Sequence, residues 1–573
     1  MTRRPSPAPI VSPHALALSL RQQHSSPPQV PAASPAASPA ASAPAPSDKP
    51  RSKSKAFILA DMDRRSSRDN RACASCISKL APSEVGQVNW HLAEDQACRL
   101  CHIAQCKPEA FTKPFCDFLQ ENPTVFHTVD YFKRKLKDSG FEELSARDAW
   151  AGKIRPGGKY WVTRNGSTIV AFTVGEAYKP GNGVGMVAGH IDSLTARLKP
   201  MSTRHSKAGY VQLGVAQYAG GLNQTWWDRD LSIGGRVIVR DPDTGKTSAR
   251  LVKLDWPIAK IPTLAPHFGV GMFGSNNKET QAVPVIGLQP SPSSRQQDES
   301  GVEPLGSEGA FVTTQPRRLV QLIAKELGIT SYSSIVNWDL ELYDSQPAQT
   351  MGMDKEFITA GRIDDKLCSW SALMGLLAAD SNKDDGYIKL VALFDDEEIG
   401  SLLRQGANGN FLPLVIQRTV EALNHDSYGP GLLGQTYARS FLVSADVTHA
   451  GNPNFLENYL DEHVPQLNVG IAIAADSNGH MTTDAVSTAI LTRVADMIGA
   501  KTQIFQIRND SRSGGTVGPM LSSAMGVKAA DAGLAQLSMH SIRATIGALD
   551  PGLGVHFFKG FLDNWEKVDG EWV

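Results

Sequence analysis

The residues most able to do chemistry are four consecutive carboxylates, Asp395, Asp396, Glu397 and Glu398. They follow the apolar run 388–394, which has the length and composition of a buried strand. Like charges this close raise one another's pKa, and a divalent cation would relieve the conflict. Most short charge runs are solvated loops, so the run taken alone favours an acidic surface loop.

Other side chains that bind metal ions also follow predicted strands. Residues 184–189 form a buried strand that leads into His190, and residues 440–445 form another that leads into Asp446. In an open α/β sheet, sites gather beyond the carboxyl ends of strands. Asp364 at a predicted helix start and His540 after a short predicted strand add two candidate ligands. The complete candidate set is His190, Asp364, Glu398, Asp446 and His540. This set suits two zinc ions that share one carboxylate and a bridging water, whereas any one of these residues alone would be a weak signal.

The composition excludes several classes of protein. The chain has 573 residues, which is too long for one ordinary domain, and 41% of them are hydrophobic, enough for a sizeable core. The net charge is −1, so there is no basic field for nucleic acid. The longest apolar runs have strand length, and no membrane span is predicted. Neither nucleic acid nor a membrane is therefore an expected partner.

Residues 1–107 are predicted to be an N-terminal extension. Its first part is rich in Pro, Ala and Ser, which predicts disorder. An Arg-, Ser- and Ala-rich start without acidic residues before Asp48 is typical of mitochondrial targeting, and an ordinary disordered tail of a cytoplasmic or vacuolar protein is the alternative. The extension also contains two Cys-x2-Cys pairs, Cys73 with Cys76 and Cys98 with Cys101. Their spacing is that of a small structural zinc site, and the alternative is that all four are reduced thiols without a metal.

The pattern of predicted helices and strands changes along the remaining chain. Residues 108–193 and 346–573 carry an α/β pattern, which predicts one domain in two parts, with a helix expected soon after His540. Residues 194–345 are dominated by short strands separated by Gly and Pro, which predicts an inserted β-rich domain. Within it, residues 290–309 are rich in Ser, Pro, Gln and Glu and are expected to be a mobile loop.

The motifs together resemble the aspartyl aminopeptidase family of dizinc exopeptidases, which includes a vacuolar aminopeptidase branch. They stand in family order from about residue 108 to the C-terminus. They are Phe111-Thr112-Lys113-Pro114-Phe115, Gly189-His190-Ile191-Asp192-Ser193, Arg362-Ile363-Asp364-Asp365, Phe394-Asp395-Asp396-Glu397-Glu398-Ile399-Gly400, Ser444-Ala445-Asp446 with His449-Ala450, Gly515-Thr516 with Gly518-Pro519, and Met539-His540-Ser541-Ile542-Arg543.

The resemblance implies a fold and an assembly. It implies a zinc-exopeptidase-like α/β/α sandwich with an inserted β-rich dimerisation domain, and a tetrahedral homo-oligomer of twelve subunits built from dimers. It also implies two zinc ions per subunit, with Asp364 bridging them and with His190, Glu398, Asp446 and His540 completing the sites. Cobalt or manganese could replace zinc among such ligands.

Three further residues take roles from the resemblance. Glu397 matches the general base. Asp192 matches the carboxylate that orients His190, as metal-bound imidazoles generally require. His267 matches a histidine that reaches the active site of a neighbouring subunit and contacts substrate there.

Substrate preference is where the sequence departs from the family. The family predicts removal of N-terminal Asp or Glu, which needs a basic group in the specificity pocket. The expected stretch, 471–480, holds no Lys or Arg and contains Asp476, which would repel an acidic side chain. A neutral or hydrophobic N-terminal residue is therefore the alternative substrate.

Two other functional classes compete with an aminopeptidase. A weakly active scaffold or cargo protein could keep the fold, but the intact ligand set argues against it. A dizinc carboxypeptidase or deacylase would use the same pair of glutamates. The context of His540 and the β-rich insertion favour the aminopeptidase.

Overall fold

The computed structural model describes residues 106–268, 276–289, 305–380, 383–424 and 427–572. All of them belong to one compact unit, Ala72–Val573. The four cysteines of the predicted zinc pairs, nearly all of the predicted N-terminal extension and residues 290–304 of the predicted loop lie outside the described residues.

Helices and strands alternate through most of the described chain. The α-helices are α1 (Thr112–Glu121), α2 (Val125–Asp138), α3 (Arg317–Glu326), α4 (Ile363–Ala378), α5 (Phe411–Leu423), α6 (Pro430–Ala438), α7 (Ala485–Ile498), α8 (Val517–Met525) and α9 (Asp550–Asp569). The first ten strands are β1 (Glu142–Glu143), β2 (Lys159–Arg164), β3 (Thr168–Val174), β4 (Val184–His190), β5 (Thr195–Thr203), β6 (Tyr210–Tyr218), β7 (Leu231–Arg240), β8 (Thr247–Lys253), β9 (Val285–Leu288) and β10 (Ile335–Asp344). The others are β11 (Gln349–Met351), β12 (Phe357–Ala360), β13 (Ile388–Phe394), β14 (Phe441–Ser444), β15 (Thr448–His449), β16 (Ile471–Ala475), β17 (Thr502–Gln506), β18 (Lys528–Gly533), β19 (Ala535–Gln536) and β20 (Ala544–Gly547).

A nine-stranded mixed sheet forms the centre of the fold, in the order β1-β2-β3-β13-β4-β14-β18-β16-β17. The parallel neighbours β13, β4 and β14 lie at its middle. Every residue of these three strands is buried, which explains why their sequences are mainly apolar rather than alternating. One exception is Lys389 in β13, whose Nζ lies 2.9 Å from Asp563 Oδ1.

Helices cover both faces of this sheet. Val187 of β4 packs into one core with helices α1, α2, α4, α7 and α9. Its neighbours Met186 and Ala188 point to the opposite face, where they pack with α5 and α8. The predicted α/β/α sandwich is therefore confirmed. None of the described helices is both long enough and apolar enough to cross a bilayer.

A second sheet is built wholly from residues 195–344. Its six strands run in the order β8-β7-β10-β5-β6-β9, and each neighbouring pair is antiparallel. Helix α3 and this sheet share a separate apolar core that includes Trp226, Ile323 and Leu340. Strand β5 starts five residues after β4 ends, so the second sheet is joined directly to the strand that carries His190.

One local prediction was wrong. The helix expected soon after His540 is preceded by strand β20, which pairs with β12, and α9 begins only at Asp550. Residues 544–547 are too few to show a strand by periodicity, and their pairing partner lies almost two hundred residues earlier in the chain.

Trp370 anchors helix α4, whose first turn carries Asp364. It is 2% exposed, and its ring centroid lies 5.4 Å from that of Phe115 and 6.3 Å from that of Phe118, both in α1. Replacing Trp370 with Ala should lower the free energy of unfolding by about 3–5 kcal/mol, because it opens a cavity in a packed core. Denaturant unfolding followed by circular dichroism measures this. The control Trp572→Ala removes a side chain that is 46% exposed and should change little, and equal losses in the two variants would contradict the anchoring role.

Candidate metal centre

The carboxyl ends of β13, β4 and β14 bring candidate ligands to one edge of the central sheet. β4 ends at His190, the 3-10 turn Glu397–Ile399 follows β13, and Asp446 lies two residues beyond β14. Because the three strands are adjacent and parallel, their ends lie side by side. The topology therefore explains how ligands far apart in sequence come together.

His190, Asp364 and Asp446 form the first ligand group. His190 Nε2 lies 3.2 Å from Asp364 Oδ1 and 3.6 Å from Asp446 Oδ1. Ligand atoms from all three residues lie within 4.8 Å of one another. Burial alone would lower the pKa of His190, but the surrounding carboxylates of Asp446, Asp192 and Asp364 raise it well above its ordinary value.

Asp364, Glu398 and His540 form the second ligand group, also with ligand atoms within 4.8 Å of one another. His540 Nε2 lies 3.5 Å from Asp364 Oδ2 and 3.6 Å from Glu398 Oε2. Asp364 thus offers Oδ1 to the first group and Oδ2 to the second. The geometry separates the remaining ligands, with Asp446 on the side of His190 and Glu398 on the side of His540.

The electrostatics of these residues fit bound cations. Burial and the neighbouring charge of Asp364 raise the pKa of Glu398 well above its ordinary value. Glu398 Oε1 is buried, and no described donor reaches it. Carboxylates and imidazoles crowded in this way bind zinc well, and a divalent ion in each group would satisfy the charges. The residues present therefore fit two zinc ions.

Glu397 lies beside the first ligand group. Its Oε2 is 3.8 Å from His190 Nε2. Burial raises its pKa to about 8, and the charges of Asp446, Asp192 and Asp364 act in the same direction.

Asp192 organises the backbone and the imidazole beside the metal groups. His190 Nδ1 lies 3.2 Å from the carbonyl oxygen of Asp192 and 3.3 Å from Asp192 Oδ1, which leaves Nε2 for a metal. The backbone N–H groups of Glu397 and Glu398 donate to Asp192 Oδ1 and Oδ2, each at 3.1 Å. Asp192 therefore fixes the ring of His190, through its backbone and its side chain, and the turn that carries two glutamates.

Gly189 is required by close packing beside His190. A Cβ atom at this position would lie 2.7 Å from the carbonyl oxygen of Ala445 and 2.8 Å from Asp365 Oδ2. The Gly-His pair in the sequence therefore reflects the tight approach of β4 to β14 and to the start of α4.

Sequence reasoning missed several side chains that touch the candidate ligands, among them Gln536 and Asn223. Gln536 Nε2 donates to Asp364 Oδ2 at 3.3 Å, and Asn223 Nδ2 donates to the carbonyl oxygen of His540 at 2.9 Å. Asn223 belongs to the inserted segment, so that segment helps to place a ligand of the central sheet. A single Asn or Gln in a loop or short strand gives no pattern that could have revealed these contacts.

His267 is the one predicted site residue that the structure does not bring to the centre. It lies exposed in a 3-10 turn, Pro266–Phe268, and stacks on Phe268 at a centroid distance of 5.0 Å. It is not among the described residues that line the cleft. A contact with another subunit therefore stays a prediction.

The metal groups open into a cleft of about 530 Å³. Apart from the acidic and histidine side chains, its lining is largely apolar and includes Ala474, Met481, Phe505, Ile507 and Met520. None of the described lining residues is Lys or Arg. Burial lowers the pKa of His449, one of the lining histidines, so that it stays neutral near pH 7. A second lining histidine, His480, has its Nδ1 2.9 Å from Asp476 Oδ2. A positive charge on this imidazole would therefore be balanced by the carboxylate of Asp476.

Two groups of histidine and carboxylate side chains at the carboxyl edge of an α/β sheet are typical of a metal-dependent hydrolase. Residues 118–562 match the family model described as "Aminopeptidase I zinc metalloprotease (M18)". The chain belongs to this M18 family. It is therefore an aminopeptidase, and the resemblance drawn from the sequence motifs is confirmed.

Relatives and solved structures agree with this assignment. The chain is 42% identical to vacuolar aminopeptidase 1 of Saccharomyces cerevisiae, covering 81% of this chain and 90% of the relative. It is 39% identical to aspartyl aminopeptidase 4 of the same yeast, covering 82% and 97%. Its fold matches the structure of Chaetomium thermophilum mApe1 with a TM-score of 0.76 at 62% identity, covering 82% of this chain and 100% of that one. The S. cerevisiae mApe1 dodecamer matches with a TM-score of 0.71 at 38% identity, covering 81% and 99%.

Proposed function

We propose that this protein removes single N-terminal residues from peptides with two zinc ions per subunit and with Glu397 as the general base. The observation that carries the proposal is the position of Asp364, whose two carboxylate oxygens face the two ligand groups. His190 and Asp446 would complete one site, and Glu398 and His540 the other. A shared carboxylate of this kind is expected where two ions act on one substrate group.

The residues around the centre suit hydrolysis of a peptide bond. Zinc bound in the two groups would polarise the scissile carbonyl and lower the pKa of a water molecule toward neutrality. Glu397 would take the proton of the attacking water and return it to the leaving amine, a role that fits its place in the cleft beside the first ligand group. Asp192 holds the backbone of Glu397 in place through the hydrogen bond at 3.1 Å.

The cleft offers no cationic side chain for a free carboxylate of the substrate. A carboxypeptidase must bind the substrate's terminal carboxylate, and none of the described lining residues offers a Lys or Arg for it. This supports the aminopeptidase over the related carboxypeptidase or deacylase.

The side chain of the N-terminal residue is proposed to be neutral or hydrophobic. The wall formed by Met481, Phe505, Ile507 and Met520 would bury an apolar side chain, whereas an Asp or Glu side chain would lose its hydration without a paired cation. The acidic preference predicted from the family has no support in this cleft. The name of the first relative, vacuolar aminopeptidase 1, suggests the vacuole as the compartment, with the cytoplasm as the alternative.

A homo-oligomer is also proposed, because the matched yeast structure is described as a dodecamer. Large apolar side chains are exposed on the second sheet of the single chain, among them Met201 at 70% and Leu288 at 66%. Patches of this kind are expected at subunit contacts. We propose that residues 194–345 act as the dimerisation domain within the two-part catalytic domain of 108–193 and 346–573, and that His267 contacts a neighbouring active site.

A panel of aminoacyl reporter substrates tests the proposal. We expect cleavage of the Leu substrate to exceed that of the Asp substrate by at least about tenfold in kcat/KM, because a charged side chain would be buried without a partner. A zinc chelator should abolish both activities. The variant Ala474→Lys places a cation in the wall of the cleft and should shift the ratio toward Asp.

Each other outcome has a definite meaning. A wild-type preference for Asp or Glu would contradict the neutral specificity and leave the mechanism standing. Cleavage that survives complete removal of metal would contradict the metal mechanism. A protein that holds metal yet cleaves none of the Leu, Ala, Asp and Glu substrates would favour the scaffold alternative.

A further inference from the structure

The carboxylate of Asp192 has four hydrogen-bonding positions, and four groups of the structure lie against it. The Glu397 N–H donates to Oδ1 and the Glu398 N–H to Oδ2, each at 3.1 Å. His190 Nδ1 lies 3.3 Å from Oδ1 and also 3.2 Å from the Asp192 carbonyl oxygen. The fourth donor is the hydroxyl of Tyr218, which donates to Oδ2 at 2.7 Å. This is the shortest of the four contacts, and it is the only one that comes from the second sheet.

Tyr218 is the last residue of β6 and is 5% exposed. Its position is fixed by register, because it pairs with Thr195 at the start of β5, three residues after Asp192. Its hydroxyl oxygen also lies 3.2 Å from Asp396 Oδ1. The phenol thus stands between the carboxylate that orients His190 and the turn after β13.

The ring of Tyr218 is held from its other side by a charged pair. The Arg197 guanidinium lies over the ring, 3.8 Å from its centroid, which is a close cation–π contact. Arg197 Nε in turn lies 3.7 Å from Glu341 Oε2, and the two residues are direct partners in the β5–β10 register. Three strands of the second sheet therefore support one hydroxyl group.

We propose that Tyr218 is a positioning residue for the metal centre and acts through Asp192. By occupying the fourth position on the carboxylate, its hydroxyl prevents Asp192 from rotating. Asp192 then keeps the His190 ring turned toward the first ligand group and keeps the Glu397–Glu398 backbone in place. The inference rests on the proposed two-zinc site, and it assigns to residues 194–345 a direct part in forming that site.

The variant Tyr218→Phe tests this with the full-length enzyme, because it removes only the hydroxyl and keeps the ring under Arg197. Competition with a zinc chelator of known affinity should show zinc held about tenfold or more weakly than in the wild type, the range typical of partners behind a metal ligand. In zinc-saturated enzyme, kcat should fall by about tenfold while KM changes less than about twofold, since Tyr218 does not line the cleft.

Tyr210→Phe is the matched control, because Tyr210 is in the same strand and is 48% exposed. It should match the wild type in both measurements. If Tyr218→Phe lowers the melting temperature but keeps wild-type zinc retention and kcat, the hydroxyl is only structural and the inference is overturned. A wild-type protein that holds no zinc would overturn the proposed function and this inference together.

A second variant covers the case in which Tyr218→Phe is not recovered as folded protein. Arg197→Met leaves the hydroxyl but frees the ring, and it should weaken zinc retention in the same direction by a smaller factor. Retention equal to the wild type in that variant would overturn the inference.

Discussion

Replacing Glu397 with Gln should lower kcat by about 10²- to 10⁴-fold, the usual contribution of a general acid–base group. The amide keeps the size of the side chain and the hydrogen bond from the Glu397 N–H to Asp192, but it cannot accept the proton of the attacking water. Zinc content should stay at the wild-type level, because Glu397 belongs to neither ligand group. KM should change little. Steady-state kinetics with the Leu reporter and metal analysis of the same sample measure both effects.

Glu457→Gln provides the control for loss of a carboxylate, because Glu457 is exposed in a surface turn. Its kinetics should equal those of the wild type. Normal turnover in Glu397→Gln would show that another group moves the proton. Loss of zinc together with loss of activity would instead place Glu397 among the ligands.

Replacing Asp364 with Ala should have the largest effect on metal binding of any single substitution at this site. Its two oxygens face different ligand groups, so the change removes a ligand from both. Partners behind a metal ligand already contribute about 10- to 100-fold to affinity, so loss of a shared ligand should exceed about 100-fold. The purified variant should retain almost no zinc and show no measurable peptidase activity.

His540→Ala is the informative comparison, because His540 belongs to one group only. That variant should keep the ion held by His190, Asp364 and Asp446 and lose the other, so that its zinc content is about half that of the wild type. Equal zinc loss in both variants would contradict the arrangement of two groups around Asp364. Full zinc retention in Asp364→Ala would contradict its place in either group.

Much of the candidate site could be predicted because its residues follow strands that are obvious in sequence. The runs before His190, Glu398 and Asp446 are continuous and apolar, so their ends are easy to locate and their parallel packing brings them together. Asp364 was found at a helix start. The structure adds which ligand belongs to which group.

The contacts that support the ligands could not be predicted from local pattern. Tyr218, Gln536 and Asn223 each reach a residue of the site from a distant part of the chain, and their positions depend on strand register and on how the second sheet meets the first. Strand β20 was missed for the same reason, since four residues become a strand only through their partner β12.

Return of zinc to metal-free enzyme tests the two-zinc assignment. The full chain is stripped with a chelator, and the rate of Leu-reporter cleavage is recorded while zinc is added in measured equivalents. We expect no activity at the start and a plateau at about two equivalents per chain, as two ligand groups that share one carboxylate require. Full activity before any zinc is added would contradict a two-zinc aminopeptidase. So would an activity plateau at about one equivalent of zinc per chain, which would leave the second ligand group empty.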